Sequence, residues 1–379
     1  MMVKTIINAK IYTGETVIES GYIRFEDTIL EVASMESFEE NSADDLIDAN
    51  GQLLVPGFID VHSHGGYSID NMDADPVLIN EMTKKMLAEG ITSYFPTTMT
   101  QSDENIEKAL AGIAEAAKTN PMIQGIHLEG PFVSPAYKGA QPEQFMRKAD
   151  AEMMKRWNDI SGGNLRLVTY APEMGDVSDF ETYCVENNIV LSAGHSGATY
   201  EQLMDSKVSH ITHLFNGQLG LHHREIGVSG FALLEDNVYA EMIVDGFHIT
   251  PTMVKLAYKA KGADHILLIT DSMRAKGQPE GESELGGQKV FVKAKQARLE
   301  NGSLAGSVLT FIDAFKNILE FTGCSIEEAV KMSSVNQARE FGLTNKGKLT
   351  VGLDADIVML DDQLNVNKTV LGGNIHAFK

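Results

Sequence analysis

The chain has 379 residues, of which 43% are hydrophobic, and it carries a formal net charge of -22 at pH 7. This composition suffices for a large buried core, while the negative charge argues against nucleic acid or an anionic membrane surface as a partner. No apolar run approaches the ~20 residues that a membrane-spanning helix needs. The start lacks a basic and then apolar signal segment, and the two cysteines lie far apart, so we expect a cytoplasmic protein without disulfides.

The two ends of the chain have β character. Residues 1–54 contain β-rich runs that are broken by Gly and Asn turns, such as VKTIINAKIYTG and GYIRFEDTILEVAS, and residues 346–379 contain GKLTVGLDADIVMLDD. Because chain termini often lie close together, these segments are expected to form one small β-sandwich subdomain.

Residues 55–345 have a different pattern, in which short apolar runs alternate with amphipathic helical segments such as SDENIEKALAGIAEAAK. This alternation indicates a parallel sheet, and eight such runs predict a (β/α)8 TIM-like barrel. A hairpin, GESELGGQKVFVKAKQARLENGSLAGS, follows the eighth run as an insertion. The predicted strands are 57–62, 93–97, 122–127, 165–170, 189–193, 210–214, 238–244 and 265–270.

Residues that can bind metals stand at the predicted ends of five strands. In chain order they are His62 and His64, Glu129, His195, His213 and Asp271. Taken singly, each has an ordinary interpretation as a buried His, a turn residue or a helix N-cap. Functional residues of such barrels gather where the strands end, so we expect this set to converge on a metal site. Imidazole and carboxylate ligands suit zinc, iron or manganese.

The motifs PGFIDVHSHG and ITDSM are typical of the amidohydrolase superfamily, and HLEGP, THLFNG and DGFH are more specific. Through them the chain resembles, along nearly its whole length, the N-acetylglucosamine-6-phosphate deacetylase family. The resemblance implies a metal-dependent hydrolase of amino sugar catabolism. Such an enzyme cleaves the acetamide of N-acetyl-D-glucosamine 6-phosphate to D-glucosamine 6-phosphate and acetate.

The resemblance also implies that Glu129, His195 and His213 bind the principal metal ion. Many relatives in the superfamily bridge two ions with a carboxylated lysine, and this sequence offers Glu129 in that place. Some family members lack the HxH pair and use one ion. His62 and His64 therefore either hold a second ion beside Asp271 or only shape the pocket, and one or two divalent ions per subunit are expected.

Asp271 is the predicted catalytic residue. It would take a proton from the attacking water and deliver it to the departing amine, because nitrogen is a poor leaving group unless it is protonated. His248, in DGFH, would orient the sugar or the carbonyl oxygen, or else is a structural His.

An acidic protein needs local donors for a phosphate group, and THLFNGQLGLHHREIG offers them. Asn216 and Gly217 have backbone N–H groups near a strand end, and Arg224 can bind phosphate with two N–H groups. The resemblance implies that these three residues contact the phosphate. It also implies a homodimer in which this loop reaches a neighbour's site. His222 and His223 either add donors or belong to a solvated basic loop.

Two further segments match sugar contacts of the family. Ala140 and Gln141 form one of them, and because some members carry His in place of Gln141, the role of this residue stays open. The other segment consists of Leu304, Ala305 and Gly306.

Two other functions are compatible with part of the pattern. A different amidohydrolase reaction, such as cyclic amide hydrolysis or adenine-type deamination, would share the metals and Asp271 but would not need the phosphate-binding loop. A barrel retained as a non-enzymatic interaction protein could dispense with both the ligands and the base. Activity that persists on non-phosphorylated substrates would favour the first, and a stable protein without metal or activity would favour the second.

Overall fold

Five strands come first in the structure, a computed structural model that describes residues 2–378. They are β1 (Lys4–Tyr12), β2 (Val17–Phe25), β3 (Ile29–Ser34), β4 (Asp45–Asp48) and β5 (Leu53–Pro56). Strand β1 pairs antiparallel with β2 and parallel with both β4 and β5. The β runs that the sequence predicted in this segment therefore belong to one sheet.

Eight parallel strands, neighbours in the order of the chain, form the central sheet. They are β6 (Phe58–Ser63), β9 (Ile91–Thr98), β10 (Ile126–Glu129), β11 (Leu165–Tyr170), β12 (Val190–Ala193), β13 (His210–Ile211), β14 (Tyr239–Ile243) and β15 (Ile266–Ile269), with the short pair β7 (Gly65–Gly66) and β8 (Ile69–Asp70) after the first. The backbone N–H just after β15 donates to the His62 carbonyl at 2.8 Å, which brings the last strand against the first. The predicted TIM-like barrel is confirmed.

Helices connect consecutive barrel strands and also follow the last of them. They are α1 (Pro76–Met86), α2 (Asp103–Ala117), α3 (Ala151–Ile160), α4 (Ser178–Glu186), α5 (Tyr200–Asp205), α6 (Gly227–Leu234), α7 (Pro251–Lys261), α8 (Phe311–Thr322), α9 (Ile326–Val330) and α10 (Asn336–Glu340). Helix α1 shows why they begin where they do, because the Asp75 side chain accepts from the first free N–H groups and Pro76 follows it. Among residues 2–378, no helix is both long and apolar enough to cross a membrane.

The barrel strands match the predicted runs closely, because a parallel strand covered on both faces is a continuous apolar run. Every residue of β6 and β9 is buried. The largest departures are β10, which was expected over 122–127 but covers Ile126–Glu129, and β13, which was expected over 210–214 but ends at Ile211. His213 and Phe215 have φ values of +32° and +76°, and this left-handed backbone cannot continue a strand.

The inserted segment and the C-terminal strands complete the fold. They are β16 (Gly281–Leu285), β17 (Gln288–Lys293) and β18 (Gln296–Leu299), followed by β19 (Ile357–Leu360), β20 (Val366–Leu371) and β21 (Asn374–Ala377). Strands β16 to β18 form a separate antiparallel sheet, whereas β19 pairs with β5 and joins both chain ends in one sheet. Ile6, Leu54 and Ile357 share the core of that sheet. The domain limits at residues 54 and 346 stay a prediction.

A buried ion pair anchors the loop that follows β15. Lys276 Nζ lies 2.9 Å from Glu89 Oε1, and Glu89 also accepts from the Tyr67 hydroxyl and the Phe311 N–H. Lys276→Met keeps the volume but leaves the Glu89 charge uncompensated, so the free energy of unfolding should fall by about 3–5 kcal/mol. Urea denaturation measures this change. The matched control is Lys289→Met in an exposed pair, and an equal loss in both variants would contradict the prediction.

Candidate active site

Three predicted ligands meet where β10, β12 and β13 end. Glu129 Oε1 lies 3.2 Å from His195 Nε2 and 3.1 Å from His213 Nε2, and the two ring nitrogens are 3.1 Å apart. All three side chains are buried. Three acceptor-capable atoms therefore face a single point from three different strands.

The chemistry of these three atoms fits a divalent ion. His195 Nδ1 lies 2.8 Å from the Tyr137 carbonyl oxygen, which can only accept, so Nδ1 carries a proton and Nε2 of the neutral ring presents its lone pair. Tetrahedral zinc at about 2.0–2.1 Å from its ligands places ligand atoms roughly 3.3 Å apart, close to the separations found here. A cation at this point satisfies lone pairs that would otherwise repel each other.

A second set of possible ligands adjoins the first. His64 Nε2 lies 3.3 Å from Asp271 Oδ1 and 3.2 Å from Glu129 Oε2, while His62 Nε2 is 3.5 Å from Asp271 Oδ1. His62 Nε2 is buried and has no hydrogen-bond partner within residues 2–378. In the neutral ring this nitrogen carries a lone pair that fits a second ion, with Glu129 between the two positions.

Strained backbone holds several of these side chains in place. His195, His213 and Asp271 have φ values of +48°, +32° and +46°, in the left-handed region that non-glycine residues rarely adopt. Each of them stands two residues beyond the end of a short barrel strand. At Gly217, with φ +55°, an added Cβ would lie 2.8 Å from His195 Nδ1, so a side chain there would displace the imidazole.

The electrostatics of the cluster keep both carboxyl groups ionised. Burial by itself raises the pKa of Glu129, but hydrogen bonds from His195, His213 and His64, in the states in which their Nε2 atoms are protonated, outweigh it and hold that pKa well below its usual range. Burial also raises the pKa of Asp271, and the charge of protonated His62, with the hydrogen bond and charge of protonated His64, reverses the effect and lowers it. An ionised Asp271 is able to accept a proton.

A cavity of about 370 Å³ opens above this cluster. Among its lining residues are most of those that the sequence singled out: His64, Glu129, Ala140, Gln141, His195, His213, Asn216, Gly217, His248, Asp271, Leu304 and Gly306. The inserted segment contributes Leu285, Arg298 and Ser303 as well. The cavity therefore joins the candidate metal centre to the hairpin.

Five residues singled out by the sequence do not line this cavity. His62 is fully buried beneath it, and the Ala305 N–H donates to the Ala297 carbonyl inside the hairpin. The other three, His222, His223 and Arg224, are exposed on a loop outside it. A reach from this loop into a neighbouring subunit stays a prediction.

Gln141 and His248, whose roles the sequence left open, each make a specific contact in the structure. Gln141 donates from Nε2 to Glu129 Oε2 at 2.6 Å, and its Oε1 accepts the Thr100 N–H at 2.9 Å. Gln141 therefore braces Glu129. His248 Nδ1 lies 2.7 Å from Asp245 Oδ2, so Asp245 fixes the ring with Nε2 free to meet a ligand.

Sequence reasoning missed two charged residues at this site. Arg298 lies in β18 and lines the cavity, but nothing in its spacing connects it to the barrel motifs. Glu241 lies in β14, fully buried, with Oε2 2.8 Å from His62 Nδ1. An acidic residue inside the apolar strand run AEMIV was the only available signal for Glu241.

Comparison with known proteins agrees with this geometry. The sequence model of the amidohydrolase family matches residues 53–376. N-acetylglucosamine-6-phosphate deacetylase of Bacillus subtilis is 40% identical over 375 residues, covering 96% of this chain and 95% of the relative.

Solved structures extend the agreement to the whole fold. The N-acetylglucosamine-6-phosphate deacetylase of Thermotoga maritima matches with a TM-score of 0.89 and 37% identity, covering 98% of this chain and 99% of that one. A mutant of the Mycobacterium smegmatis enzyme, solved in complex with N-acetyl-D-glucosamine-6-phosphate, matches with a TM-score of 0.93 and 29% identity, covering 99% of each chain. The chain therefore belongs to the amidohydrolase family, among whose members it is similar to N-acetylglucosamine-6-phosphate deacetylases.

Proposed function

We propose that this protein hydrolyses the acetamide of N-acetyl-D-glucosamine 6-phosphate to D-glucosamine 6-phosphate and acetate. The observation that carries the proposal is the set of residues that line one cavity. The ligand cluster of Glu129, His195 and His213 lies at its base beside Asp271, and Arg298 lines the same cavity. An amide to be cleaved and a phosphate to be held therefore have chemically suitable partners within one binding site.

The residues of the chain have separable roles in the proposed reaction. When bound, a divalent ion at this cluster would supply Lewis acidity, which makes water more acidic and polarises a carbonyl oxygen. Glu129, His195 and His213 would hold that ion, with the identity of the metal left to measurement. Asp271, at the edge of the cluster, would take a proton from the attacking water and return it to the amide nitrogen as the C–N bond breaks.

Two further residues would orient the substrate. His248, held by Asp245 through Nδ1, offers Nε2 to the sugar or to the acetamide oxygen. Asn216 and Gly217 line the same cavity, and Gly217 packs against His195. The Asn216 backbone N–H already donates to the His213 carbonyl at 2.9 Å, so the Gly217 N–H is the backbone donor that we propose for the substrate. These contacts would place the acetamide correctly over Asp271.

The phosphate needs a positive partner in a chain of net charge -22. Arg298 is the only Lys or Arg that lines the cavity, within the described residues 2–378. Its guanidinium donates to the Gln296 side chain and the Gly302 carbonyl, and both of these acceptors are neutral. Its charge is therefore available to an anion, and we propose Arg298 as a phosphate contact within the chain.

Arg298→Ala should raise KM for the phosphorylated sugar about 10- to 100-fold with little change in kcat, because a hydrogen bond to a charged group contributes about 1.5–3 kcal/mol. Steady-state kinetics on N-acetylglucosamine 6-phosphate and on N-acetylglucosamine measure this. Arg166→Ala, outside the cavity, is the matched control. If Arg298→Ala lowers kcat with KM unchanged, the phosphate contact is wrong.

The second phosphate contact, Arg224, would act from a partner subunit. We propose a homodimer, supported by the exposed basic loop and by Leu221 beside it, which is 52% exposed. Arg224→Ala should then also raise KM for the phosphorylated substrate. Mixing it with Arg298→Ala should restore one complete site in each mixed dimer, and therefore a component of the activity with wild-type KM, which a monomeric site would not allow. A cytoplasmic location stays a prediction.

Acetate release tests the proposed function directly. Purified protein should release acetate from N-acetylglucosamine 6-phosphate with a much higher kcat/KM than from N-acetylglucosamine, and should lose this activity after chelation of its metal. The 4-epimer, N-acetylgalactosamine 6-phosphate, measures selectivity at the sugar ring. Equal or higher kcat/KM on unphosphorylated amides would favour another amidohydrolase reaction instead.

A further inference from the structure

A row of buried charged side chains runs behind His62, away from the cavity. His62 Nδ1 lies 2.8 Å from Glu241 Oε2, Glu241 Oε1 lies 3.1 Å from His210 Nε2, and His210 Nδ1 lies 2.7 Å from Glu340 Oε1. The side chains are 0%, 0%, 0% and 5% exposed in that order. None of these four lines the substrate cavity, and the proposed reaction assigns a step to none of them.

The row reaches the opposite end of the barrel. Glu340 ends α10 and lines a separate cavity of about 490 Å³. That cavity is also lined by Asn188, Ile189 and Ser209, which precede β12 and β13, so it lies where barrel strands begin. Four charged or ionisable groups thus connect the floor of the barrel with the candidate metal centre at its other end.

Glu241 occupies a central position in this row. Its Oε2 accepts from His62 Nδ1 and from the backbone N–H of His213, the second at 3.0 Å. It therefore touches one residue of each of the two ligand sets. Because a carboxylate only accepts, Nδ1 of His62 must carry a proton, so whenever the ring is neutral it is Nε2 that holds the lone pair, toward Asp271 and His64.

His210 and Glu340 stabilise Glu241 from behind. Burial alone would lower the pKa of His210, but the charge of Glu340 and the hydrogen bonds of both carboxylates raise it to about 10. His210 is therefore a cation between two anions at neutral pH. A buried carboxylate at position 241 is tolerated because this cation compensates its charge.

We propose that Glu241, supported by His210 and Glu340, is a positioning residue that fixes the tautomer of His62 and thereby creates the second ion site. This inference rests on the metal centre of the proposed function and is independent of the sugar substrate. The same contact to the His213 backbone ties the second site to the first. Partners that fix the tautomer of a ligand His typically change metal affinity 10- to 100-fold when they are replaced.

Glu241→Gln keeps the size of the side chain but removes its charge and one of its two accepting oxygens. The amide has a single accepting oxygen, and the His210 cation on one side competes for it with His62 Nδ1 and the His213 N–H on the other, both of which use Oε2 of Glu241. With the oxygen toward His210, the NH2 group faces His62. His62 then gains by moving its proton to Nε2, and that tautomer cannot bind an ion. Glu181→Gln is the matched control, since Glu181 is a buried carboxylate that pairs with Tyr170 away from the site.

Zinc titration of the metal-free full chain, with bound ions counted by mass spectrometry, tests the proposal. Wild type and Glu181→Gln should bind two ions per chain. Glu241→Gln and His62→Asn should keep the first ion and bind the second about 10- to 100-fold more weakly, with Glu340→Gln in between. Wild-type affinity for both ions in Glu241→Gln, or a single ion in the wild type, would overturn the inference.

A second measurement needs no variant, in case Glu241→Gln fails to fold. Nitrogen-15 histidine NMR of the zinc-loaded wild type should show His62 protonated at Nδ1 and coordinated through Nε2. Coordination through Nδ1, or no coordination, would overturn the proposal. Both measurements are independent of acetate release, so a protein that binds two ions in this manner but releases no acetate would refute the proposed function and leave this inference standing.

Discussion

Replacing Asp271 with asparagine should lower kcat for acetate release about 100- to 10,000-fold, the range that a general acid–base group contributes. The asparagine has the same shape and can still lie beside His64, but it cannot take a proton from water or return one to the amine. The ion held by Glu129, His195 and His213 should remain, because Asp271 is not in that cluster. Steady-state kinetics and metal counting on the same preparation give both results.

The pattern of the two results distinguishes a catalytic role from a structural one. A general base predicts low kcat, nearly unchanged KM and retained metal at the first site. Thermal unfolding of Asp271→Asn close to that of the wild type would exclude misfolding as the cause. Turnover at the wild-type level would refute the assigned role, and loss of the first ion together with activity would make Asp271 a ligand of that ion.

Replacing Glu129 with glutamine should abolish acetate release and reduce bound metal to less than about a tenth of the wild-type content, because metal binding needs deprotonated ligands. Glu129 touches both imidazoles of the first set through Oε1, and its Oε2 faces His64. An amide at this position removes the charge and turns an N–H group toward ring nitrogens. Elemental analysis of the dialysed protein measures the loss.

The control for this variant is again Glu181→Gln, which removes one buried negative charge elsewhere. It should keep its metal and its activity. Retention of wild-type metal content by Glu129→Gln would mean that the three atoms do not share an ion. In that case the proposed hydrolysis would lose its basis, whatever the similarity of the chain to known enzymes.

Most of the fold and the core of the candidate site could be predicted because both depend on local patterns. Apolar runs of parallel strands are visible in the sequence, and the parallel order brings the ends of those strands to one face. This is why His62, His195 and Asp271 could be expected to meet although they lie far apart in the chain. The early end of β13 could not be predicted, because it depends on the left-handed backbone at His213.

The residues that the sequence missed depend on tertiary packing. Glu241 resembles an ordinary member of a buried strand, and only its contact with His62 reveals its position behind the metal centre. Arg298 belongs to an insertion whose placement over the cavity no periodicity indicates. Arg224 shows the reverse, since its motif suggested a phosphate contact while its side chain lies outside the cavity of its own chain.

The most direct test of the metal centre is anomalous X-ray diffraction from crystals of the metal-loaded protein, recorded on both sides of the absorption edge of the metal. We expect a peak within about 2.0–2.2 Å of Glu129 Oε1, His195 Nε2 and His213 Nε2. A metal-loaded crystal with no peak between these three atoms, or with its metal bound elsewhere, would contradict the central claim.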